Sequence, residues 1–421
     1  MAKELVYNTT ANSDGGNSST KVIVGGSQAT IIENYRATRT MVDYRGTESE
    51  YAESQNGGIN CLHLKVTLDG KDEREFLFGD MAKNWDSSRD FDGIANKHNN
   101  NVIIENSIAS VAACFAQNVI LLEKEKSENI RLNVALSVGL PVLEYGNEDS
   151  RDEFTKRLKG VHLVEFLSPY FHKNGIRKIT VNVERIELFR EGEAALNSLA
   201  RFSEHPIITD EIKYEYDGKI VSGIDLGKGS TDGITATFKV LTDSEGNEYQ
   251  KLHIEKEKCL ALRGVSRDYK EVMLALQPKD TENELTMISI EQALKRKPEA
   301  LRGKIKELGN EDMLPEFRSV VKFHTDEIAE SYKGTVKNHK NILIIYISGG
   351  ASEIPELVES LKASFIKAYN LTGIHAENFI KKIVTCSNPS PIIANVEGYY
   401  GLLQAKLELE GNTKYLEIFA D

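Results

Sequence analysis

The chain has 421 residues, of which 40% are hydrophobic and 28% are charged. This length exceeds what one hydrophobic core normally supports, so the sequence predicts two domains, and the ordinary globular composition excludes disorder of the whole chain. The formal net charge of −12 repels phosphate backbones. Direct binding to DNA or to an anionic membrane is therefore not expected without a local basic patch or a separate adaptor protein.

The cysteines and the apolar segments indicate the compartment. Cys61, Cys114, Cys259 and Cys386 are far apart and include no CxxC pair, a pattern typical of reduced core thiols in a cytosolic protein. The N-terminal residues lack the apolar segment of a signal peptide, and the run from Ile342 to Ile347 is too short to span a bilayer. The expected location is the cytoplasm, with no membrane contact.

In chain order, the first part of the sequence predicts a group of strands and one long helix. Residues 22–24 and 29–32 are predicted strands joined by a Gly-Gly turn, and residues 76–82 are a strand that runs into a helix start. Apolar and alanine residues at helical spacing predict a buried helix over 102–122. Residues 132–138 form a strand that ends at Gly139-Leu140-Pro141, and the charged residues 147–159 are a loop entering a helix.

The second part repeats the order of strands followed by helices. The predicted elements are a helix over 191–201, strands over 220–224 and 233–240, a mainly helical region over 254–310, a helix over 315–331, a strand over 342–347, and helices over 353–369 and 394–409. Pro355 is tolerated in the first turn of its helix. This alternation predicts an α/β protein of two similar domains, each built around a sheet with a hairpin.

Two stretches far apart in the chain are near copies of one another. The first is Asp14-Gly15-Gly16-Asn17-Ser18-Ser19-Thr20-Lys21, and the second is Asp225-Leu226-Gly227-Lys228-Gly229-Ser230-Thr231-Asp232. When they are aligned, both contain Asp, any residue, Gly, any residue, a small residue, Ser and Thr, in that order. A repeated loop of this composition predicts a duplicated nucleotide-binding unit, with two hairpins closing on one phosphate chain.

The residue types of these loops suit phosphate binding. Glycines free the backbone to approach an anion closely, and successive N–H groups in such turns form an anion-binding concavity. Serine and threonine hydroxyls add donors, and Lys21 supplies a point charge. Asp14 and Asp225 are expected to hold Mg²⁺ through its waters. A single loop of this kind is also compatible with a plain polar turn, but two matching copies favour phosphate binding.

A third motif joins a strand to a helix through small residues. The strand ending at Ile347 is followed by Ser348-Gly349-Gly350-Ala351 and a helix start. Glycines there allow the chain to pass against a purine and ribose and leave a helix N-terminus facing anionic groups, although this connection is also common in α/β proteins. The predicted nucleotide-binding residues are therefore Gly15, Gly16, Asn17, Ser18, Ser19, Lys21, Gly227, Lys228, Gly229, Ser230, Thr231, Asp232, Gly349, Gly350 and Ala351.

The three motifs, in this order, resemble those of the actin-like ATPase superfamily, which includes actin, the heat-shock chaperone ATPase domain, sugar kinases and the bacterial actins. The resemblance implies an actin-like (ribonuclease H-like) two-domain fold with the nucleotide in the interdomain cleft. Domain I is then residues 1–218, completed by 390–421, and domain II is residues 219–389. The alanine-rich helix over 102–122 and the segment beginning at Ala394 fit the two connecting helices.

Within the superfamily, the chain is most similar to the plasmid-segregating bacterial actins, the ParM family. The features are Phe78-Gly79-Asp80-Met81-Ala82, Val138-Gly139-Leu140-Pro141 followed by a charged helix, and residues 394–400. In that family the helix after Gly-Leu-Pro carries the acidic residue that orients the attacking water. The candidates are Glu153, Asp152 and Glu148, and Glu153 is preferred because Lys156 and Arg157 follow it. A solvated helix position is the alternative for Glu153.

The resemblance implies a filament-forming ATPase with Glu153, Asp225 and Asp14 as its catalytic residues. ATP or GTP with Mg²⁺ is the expected ligand, and a DNA-binding adaptor is the expected link to plasmid DNA. Three alternatives remain open. They are a small-molecule kinase using Asp232 or Asp152 as a base, a chaperone-type ATPase, for which little chain follows the last predicted helix, and a scaffold that binds nucleotide without hydrolysis.

Overall fold

The computed structural model describes residues 4–16, 18–37, 53–82, 96–279, 287–295 and 305–419. Contacts between residues divide the chain into two units. Unit 1 is Met1–Arg190 together with Asn395–Asp421, and unit 2 is Glu191–Ala394. Each unit has its own sheet and its own hydrophobic core, so the predicted α/β architecture of two similarly built parts is confirmed.

Unit 1 contains a mixed sheet of nine strands in the order β3-β2-β1-β7-β9-β8-β5-β6-β4. Strand β1 lies antiparallel to β2 and parallel to β7, which is itself parallel to β9. The strands are β1 (Leu5–Gly15), β2 (Ser19–Val24), β3 (Thr30–Glu33), β4 (Arg36–Ala37), β5 (Cys61–Leu68), β6 (Asp72–Gly79), β7 (Asn129–Leu140), β8 (Gly160–Phe166) and β9 (Lys178–Arg190).

Helix α1 (Asn101–Leu121) provides most of the helical part of the unit 1 core. Its buried side chains, such as Ile108 and Phe115, lie mainly against β1 and β2, in the same core as Leu132 and Leu136 of β7. Among the described residues, α1 is the helix long and apolar enough to cross a membrane, but 83% of its most apolar window is buried inside the protein. The helix is therefore accounted for as a core helix. The other helices of unit 1 are α2 (Val142–Gly146), α3 (Glu148–Leu158) and α4 (Pro169–Lys173).

Unit 2 contains a six-stranded sheet in the order β12-β11-β10-β14-β15, with β13 paired to β11. Strand β10 is antiparallel to β11 and parallel to β14. The elements are α5 (Glu193–Phe202), β10 (Ile220–Leu226), β11 (Ser230–Thr242), β12 (Glu248–Ile254), β13 (Leu260–Arg263), α6 (Ser266–Leu276), α7 (Met287–Leu294), α8 (Ile305–Thr335), β14 (Ile342–Ser348), α9 (Pro355–Ala368), α10 (Gly373–Ile380) and β15 (Ile383–Thr385). Helix α11 (Ala394–Leu409) leads back into unit 1.

Most predicted elements are confirmed, and three differ. Residues 254–263 are a short turn and strand β13 instead of helix, because β13 extends the sheet by pairing with β11. Helix α8 begins at Ile305 and continues through Pro315, so the predicted start at that proline is wrong. Strand β6 is followed by the turn Asp80–Ala82, and the continuation of the helix predicted there lies outside the described residues.

The unit boundary falls earlier in the chain than residue 218. Residues 191–218 contact unit 2: Leu196 packs against Gly223, the Tyr346 hydroxyl donates to the His205 carbonyl at 2.5 Å, and the Gln250 amide donates to the Thr209 carbonyl at 2.6 Å. The sequence assigned residues 191–218 to the first domain. Their bonds to β14 and β12 place them with the second sheet instead. Sequence composition carries no signal for such side-chain contacts.

The centre of the unit 1 sheet is expected to be sensitive to cavity formation. Leu136 of β7 is fully buried, whereas Leu409 at the end of α11 is 89% exposed. Leu136→Ala should lower the free energy of unfolding by about 2–5 kcal/mol, because the sheet cannot collapse around the lost methyl groups. Leu409→Ala should change it by less than about 0.5 kcal/mol. Urea unfolding followed by circular dichroism measures both, and equal losses would contradict the described core.

Candidate functional site

The first loop is a hairpin at the end of β1. Asp14 lies opposite Lys21 and Gly15 lies opposite Thr20 in the antiparallel register of β1 and β2. The Gly16 amide donates to the Ser19 carbonyl at 3.0 Å and closes the turn. Ser18 lies within this turn, and Asn17 lies outside the described residues.

The second loop has the same construction in unit 2. Asp225 lies opposite Asp232 and Leu226 lies opposite Thr231 in the register of β10 and β11. The Gly227 amide donates to the Ser230 carbonyl at 2.9 Å. In both units the strand that carries the first aspartate also has a parallel neighbour. The structural equivalence of the two loops, predicted from the repeated sequence, is therefore confirmed.

Strand β1 is polar just before its loop, and two of these buried polar side chains are bonded to other parts of unit 1. Asn12 is fully buried, accepts from the Ser137 hydroxyl at 2.5 Å and donates to the Ile23 carbonyl at 3.3 Å. The Thr9 hydroxyl donates to the Leu416 carbonyl at 2.7 Å. Buried polar groups remain affordable in a sheet only when bonded in this way.

Two lysines surround the carboxylate of the first loop. Nζ of Lys21 is 3.3 Å from Oδ2 of Asp14, and Nζ of Lys97 is 3.9 Å from its Oδ1. Asp14 is 5% exposed and both lysines are 8% exposed. Two positive charges around one negative charge leave this part of unit 1 with a local surplus of one positive charge, which suits an anionic ligand. Sequence reasoning found Lys21 but missed Lys97, which belongs to no motif.

Two asparagines support the first loop from behind. The Asn34 amide donates to the Ser18 carbonyl at 2.9 Å, and its side chain donates to the Gly16 carbonyl. Its Oδ1 accepts from the Thr20 hydroxyl at 2.8 Å and from the Asn106 side chain at 3.4 Å. These bonds occupy carbonyl oxygens of the loop, so its amide groups are the ones that suit an anion. Neither asparagine was found from sequence.

The second loop is supported by backbone instead. The amides of Gly264, Val265 and Ser266, in the turn between β13 and α6, donate to the carbonyls of Gly229, Gly227 and Lys228 at 3.1, 3.1 and 3.0 Å. A Cβ at Gly264 would lie 2.3 Å from the Lys228 carbonyl oxygen. The turn therefore approaches the loop as closely as only glycine permits.

The side chains of the second loop are partly engaged within unit 2. The Ser230 hydroxyl donates to Oδ2 of Asp232 at 2.8 Å, and Lys228 is 6% exposed. The Thr231 hydroxyl is buried and lies 3.5 Å from Nε2 of His324. That contact shows a partner for Thr231 inside unit 2, and its predicted contact with phosphate stays a prediction.

The third motif lies directly against the second loop. Gly349 has a φ of +88°, and a Cβ there would lie 2.1 Å from Oδ1 of Asp225 and 2.6 Å from the Leu226 carbonyl. A Cβ at Gly350 would lie 3.7 Å from Nζ of Lys295. Ala351, the next residue, is buried. The structure thus brings together the two predicted motifs of unit 2.

Lys295 was not found from sequence. Its Nζ is 2.8 Å from Oε1 of Glu291 and 3.6 Å from Oε2 of Glu353, and the lysine side chain is 8% exposed. This chain of charges joins α7 to the turn that follows Gly349. Lys295 begins a Lys-Arg-Lys run in the sequence. Because such runs are usually solvated, the pattern predicts no role for this lysine.

Glu153 lies on α3, where its side chain is 46% exposed and 4.0 Å from Arg157. Together with Asp152 it lines an open cavity of about 810 Å³, whereas Glu148 is an exposed residue at the start of α3. His98 and Glu144 line the same cavity. The cavity is acidic and belongs to unit 1.

Glu144, just after Gly139-Leu140-Pro141, connects this cavity to the first loop. Its carboxylate accepts from the amides of Lys97 and His98, both at 2.9 Å, and from the His98 ring at 2.7 Å. The segment that carries Lys97 to Asp14 is therefore fixed by the helix that follows the Gly-Leu-Pro turn. Sequence reasoning examined the acidic residues of α3 and overlooked this one.

The carboxylates that the sequence predicts for magnesium lie in different units, Asp14 in unit 1 and Asp225 in unit 2. Within the described residues, no group of three or more His, Cys, Asp or Glu side chains has the arrangement of a metal site. Direct coordination by a protein cage is thus not indicated there, and the prediction of a magnesium ion held through waters stays a prediction.

The two glycines of the third motif are expected to tolerate alanine very differently. Gly349→Ala places a Cβ into Asp225 at a positive φ, and should cost about 1–3 kcal/mol or more in the free energy of unfolding. Gly350→Ala meets only an ordinary contact and should change it by less than about 0.5 kcal/mol. Calorimetric unfolding measures both, and similar values for the pair would contradict the close approach of Gly349 to Asp225.

A carboxylate clamp behind the third motif predicts an acid-dependent loss of stability. The Ser387 amide and hydroxyl and the Asn388 amide donate to Glu204 at 2.6, 2.9 and 3.1 Å. These bonds, led by that of the Ser387 amide, lower the pKa of the Glu204 carboxyl from 4.5 to about 2. A lowered pKa means that the stabilisation is complete above pH 4.5 and is lost as the pH falls toward 2.

Glu204→Gln should therefore destabilise the protein most near neutral pH, and its difference from the unsubstituted chain should shrink as the pH falls below 4.5. Thermal unfolding at a series of pH values measures this difference. Glu215→Gln, at an exposed glutamate of the same unit, controls for the loss of one negative charge. A difference that stays constant down to acidic pH would contradict the clamp.

Comparison with known proteins identifies the fold. Residues 13–193 match the family model described as the actin like proteins N terminal domain. No curated protein matches the chain in sequence. Among solved structures, a pCBH ParM non-polymerisable quadruple mutant is similar, with a TM-score of 0.63 and 17% identity, covering 94% of this chain and 99% of that chain.

Two further ParM structures are also similar. A 15-stranded ParM filament from Clostridium botulinum has a TM-score of 0.58 and 16% identity, covering 94% of this chain and 99% of that chain. Bacillus thuringiensis ParM with ATP has a TM-score of 0.52 and 15% identity, covering 96% and 100%. The chain has the actin-like fold, and its resemblance to the actin-like proteins, predicted from three short motifs, is confirmed.

Proposed function

We propose that this protein is a bacterial actin that assembles into filaments with a nucleoside triphosphate, hydrolyses it, and moves or positions plasmid DNA in the cytoplasm through a DNA-binding adaptor. The observation that carries the proposal is the duplicated hairpin. Each unit has an aspartate at the end of its first strand and a glycine amide that closes the turn onto a serine carbonyl. One such turn is ordinary, but two equivalent turns in an actin-like fold indicate phosphate binding.

The residues of the two loops fit a polyphosphate. Carbonyls of the first loop are bonded to Asn34 and those of the second to the turn that begins at Gly264. We therefore assign to phosphate oxygens the loop amides other than those of Gly16 and Gly227, which close the turns. Lys21 and Lys97 add positive charge at the first loop, and Lys228 adds it at the second. Asp14 and Asp225 are the residues to hold waters of Mg²⁺, an ion that supplies positive charge to the phosphates.

Hydrolysis requires a residue that orients water. We assign this role to Glu153, with Asp152 as the neighbouring candidate, because both line an acidic cavity beside the segment that carries Lys97. Glu144 positions that segment by accepting two of its amides. The hydrolytic role separates this proposal from a scaffold that only binds nucleotide.

Assembly is supported by the fold. A similar structure is that of a 15-stranded ParM filament, and another ParM was solved with ATP. Identical subunits that meet head to tail make a heterologous contact, which generates an open filament. The net charge of −12 disfavours direct contact with DNA, so the proposal includes a basic adaptor protein.

Nucleotide-dependent assembly is the test. Light scattering and pelleting with Mg-ATP, and separately with Mg-GTP, should show polymer with at least one nucleotide. Asp225→Ala and Asp14→Ala should each abolish assembly, since both loops are required. Asp210→Ala, at an exposed aspartate of unit 2, is the matched control and should assemble normally. Phosphate release measured in the same samples should follow assembly and fall with Glu153→Gln.

The outcomes separate the alternatives. Steady phosphate release without any polymer, across nucleotides and salt concentrations, would contradict the filament and favour a kinase or a chaperone-type ATPase. Polymer without phosphate release would favour the scaffold. Absence of nucleotide binding altogether would contradict the assignment of both loops.

A further inference from the structure

A buried histidine lies beneath the second loop, outside every motif found in the sequence. His324 of α8 is fully buried, as are Asp268 of α6 and Thr231 of β11 to within 1%. Nδ1 of His324 is 2.6 Å from Oδ2 of Asp268. Its Nε2 is 2.9 Å from the Arg263 carbonyl and 3.5 Å from the Thr231 hydroxyl. Through the ring of His324, α6 is connected to Thr231 of the second loop and to Arg263, which precedes the turn that supports the loop.

The hydrogen-bond partners define what the ring does. Nδ1 faces the Asp268 carboxylate and Nε2 faces the Arg263 carbonyl, and both of these groups can accept hydrogen bonds from the ring. The other carboxylate oxygen of Asp268 accepts from the Arg263 guanidinium at 3.0 Å, so one carboxylate holds both the ring and the arginine. Arg263 also lies 3.7 Å from Glu327 of α8. His324 and Asp268 are the two fully buried members, so removal of either one leaves the other buried without its partner.

The Arg263 carbonyl, which His324 contacts, lies next to the turn that supports the second loop. Arg263 directly precedes Gly264, Val265 and Ser266, whose amides hold the three carbonyls of the second loop. Thr231 lies within the loop, where it enters β11. His324 thus contacts both the residue before the supporting turn and the residue at the loop exit, without belonging to either.

We propose that His324 is a positioning residue for nucleotide binding: it fixes the second loop in its phosphate-binding conformation by holding the Arg263 carbonyl and Thr231, with Asp268 orienting the ring. The proposal rests on the proposed function, because it needs the second loop to bind phosphate. It adds a route by which α8, on which the sequence predicts no binding residue, affects affinity for nucleotide.

The test compares His324→Gln with a matched control on the same helix. Gln places its amide near the former Nε2 and loses the bond to Asp268, whereas His324→Asn keeps an amide near Nδ1 and loses the bonds to the loop. Thr325→Val removes the next buried polar side chain, whose hydroxyl contacts Ser360 at 2.8 Å and faces α9. Stability of every variant is compared by thermal unfolding.

Affinity for Mg-ATP and Mg-GTP is measured by isothermal titration calorimetry. His324→Asn should weaken binding by severalfold to about tenfold, the scale of one lost hydrogen bond, and His324→Gln should retain more affinity. Thr325→Val should bind as the unsubstituted chain does, even where its melting temperature falls equally. Unchanged affinity in both folded His324 variants would overturn the proposal.

A second measurement does not depend on nucleotide. Hydrogen exchange at the amides of Gly264, Val265 and Ser266 should accelerate in His324→Asn and not in Thr325→Val. Asp268→Asn, which replaces the carboxylate that holds Nδ1 of His324 and changes no loop residue, serves if both His324 variants fail to fold, and should weaken nucleotide binding in the same direction. If the unsubstituted chain binds neither nucleotide, the proposed function fails, while the exchange data still decide whether His324 positions the loop.

Discussion

The structure depends on one constraint that is met twice: a chain must reverse direction at the end of a strand that is already paired on its other side. Strand β1 has β7 as a parallel neighbour and β10 has β14, so neither strand is free to shift when its hairpin forms. A glycine amide bonded to a serine carbonyl closes each turn. The aspartate that precedes each turn is consequently fixed at the carboxyl end of a strand, which is where α/β sheets usually bind their ligands.

Three buried carboxylates are each compensated locally by neighbouring basic groups. Asp14 lies between two lysines, Glu105 of α1 lies between Arg36 and Arg74, and Asp268 lies between His324 and Arg263. Burying any one of these groups alone would cost several kcal/mol or more. Because each cluster joins elements distant in sequence, the clusters specify how helices and loops are placed within each unit rather than adding much to net stability.

The sequence predicted the elements and the loops because both depend on local patterns. The limits of α1 and α11 follow from apolar periodicity and small residues, and the equivalence of the two hairpins follows from repeated Asp, Gly and Ser. Strand β13 was mistaken for helix because its identity comes from pairing with β11, a non-local contact. Lys97, Asn34 and His324 were missed for the same reason: each acts through a partner that the fold, not the sequence, brings near.

The two loops are equivalent in shape but differ in what supports them, and this difference has consequences for how each can change. The first loop is supported by the side chains of Asn34 and Asn106, which substitution removes directly. The second is supported by three backbone amides, which substitution can displace only by crowding Gly264 or by releasing the turn that contains it. His324 and Asp268 hold that turn from inside unit 2. Because backbone amides support the second loop, its conformation depends on the buried residues that hold the supporting turn. These residues, His324 and Asp268, lie outside the sequence motif by which the loop is recognised.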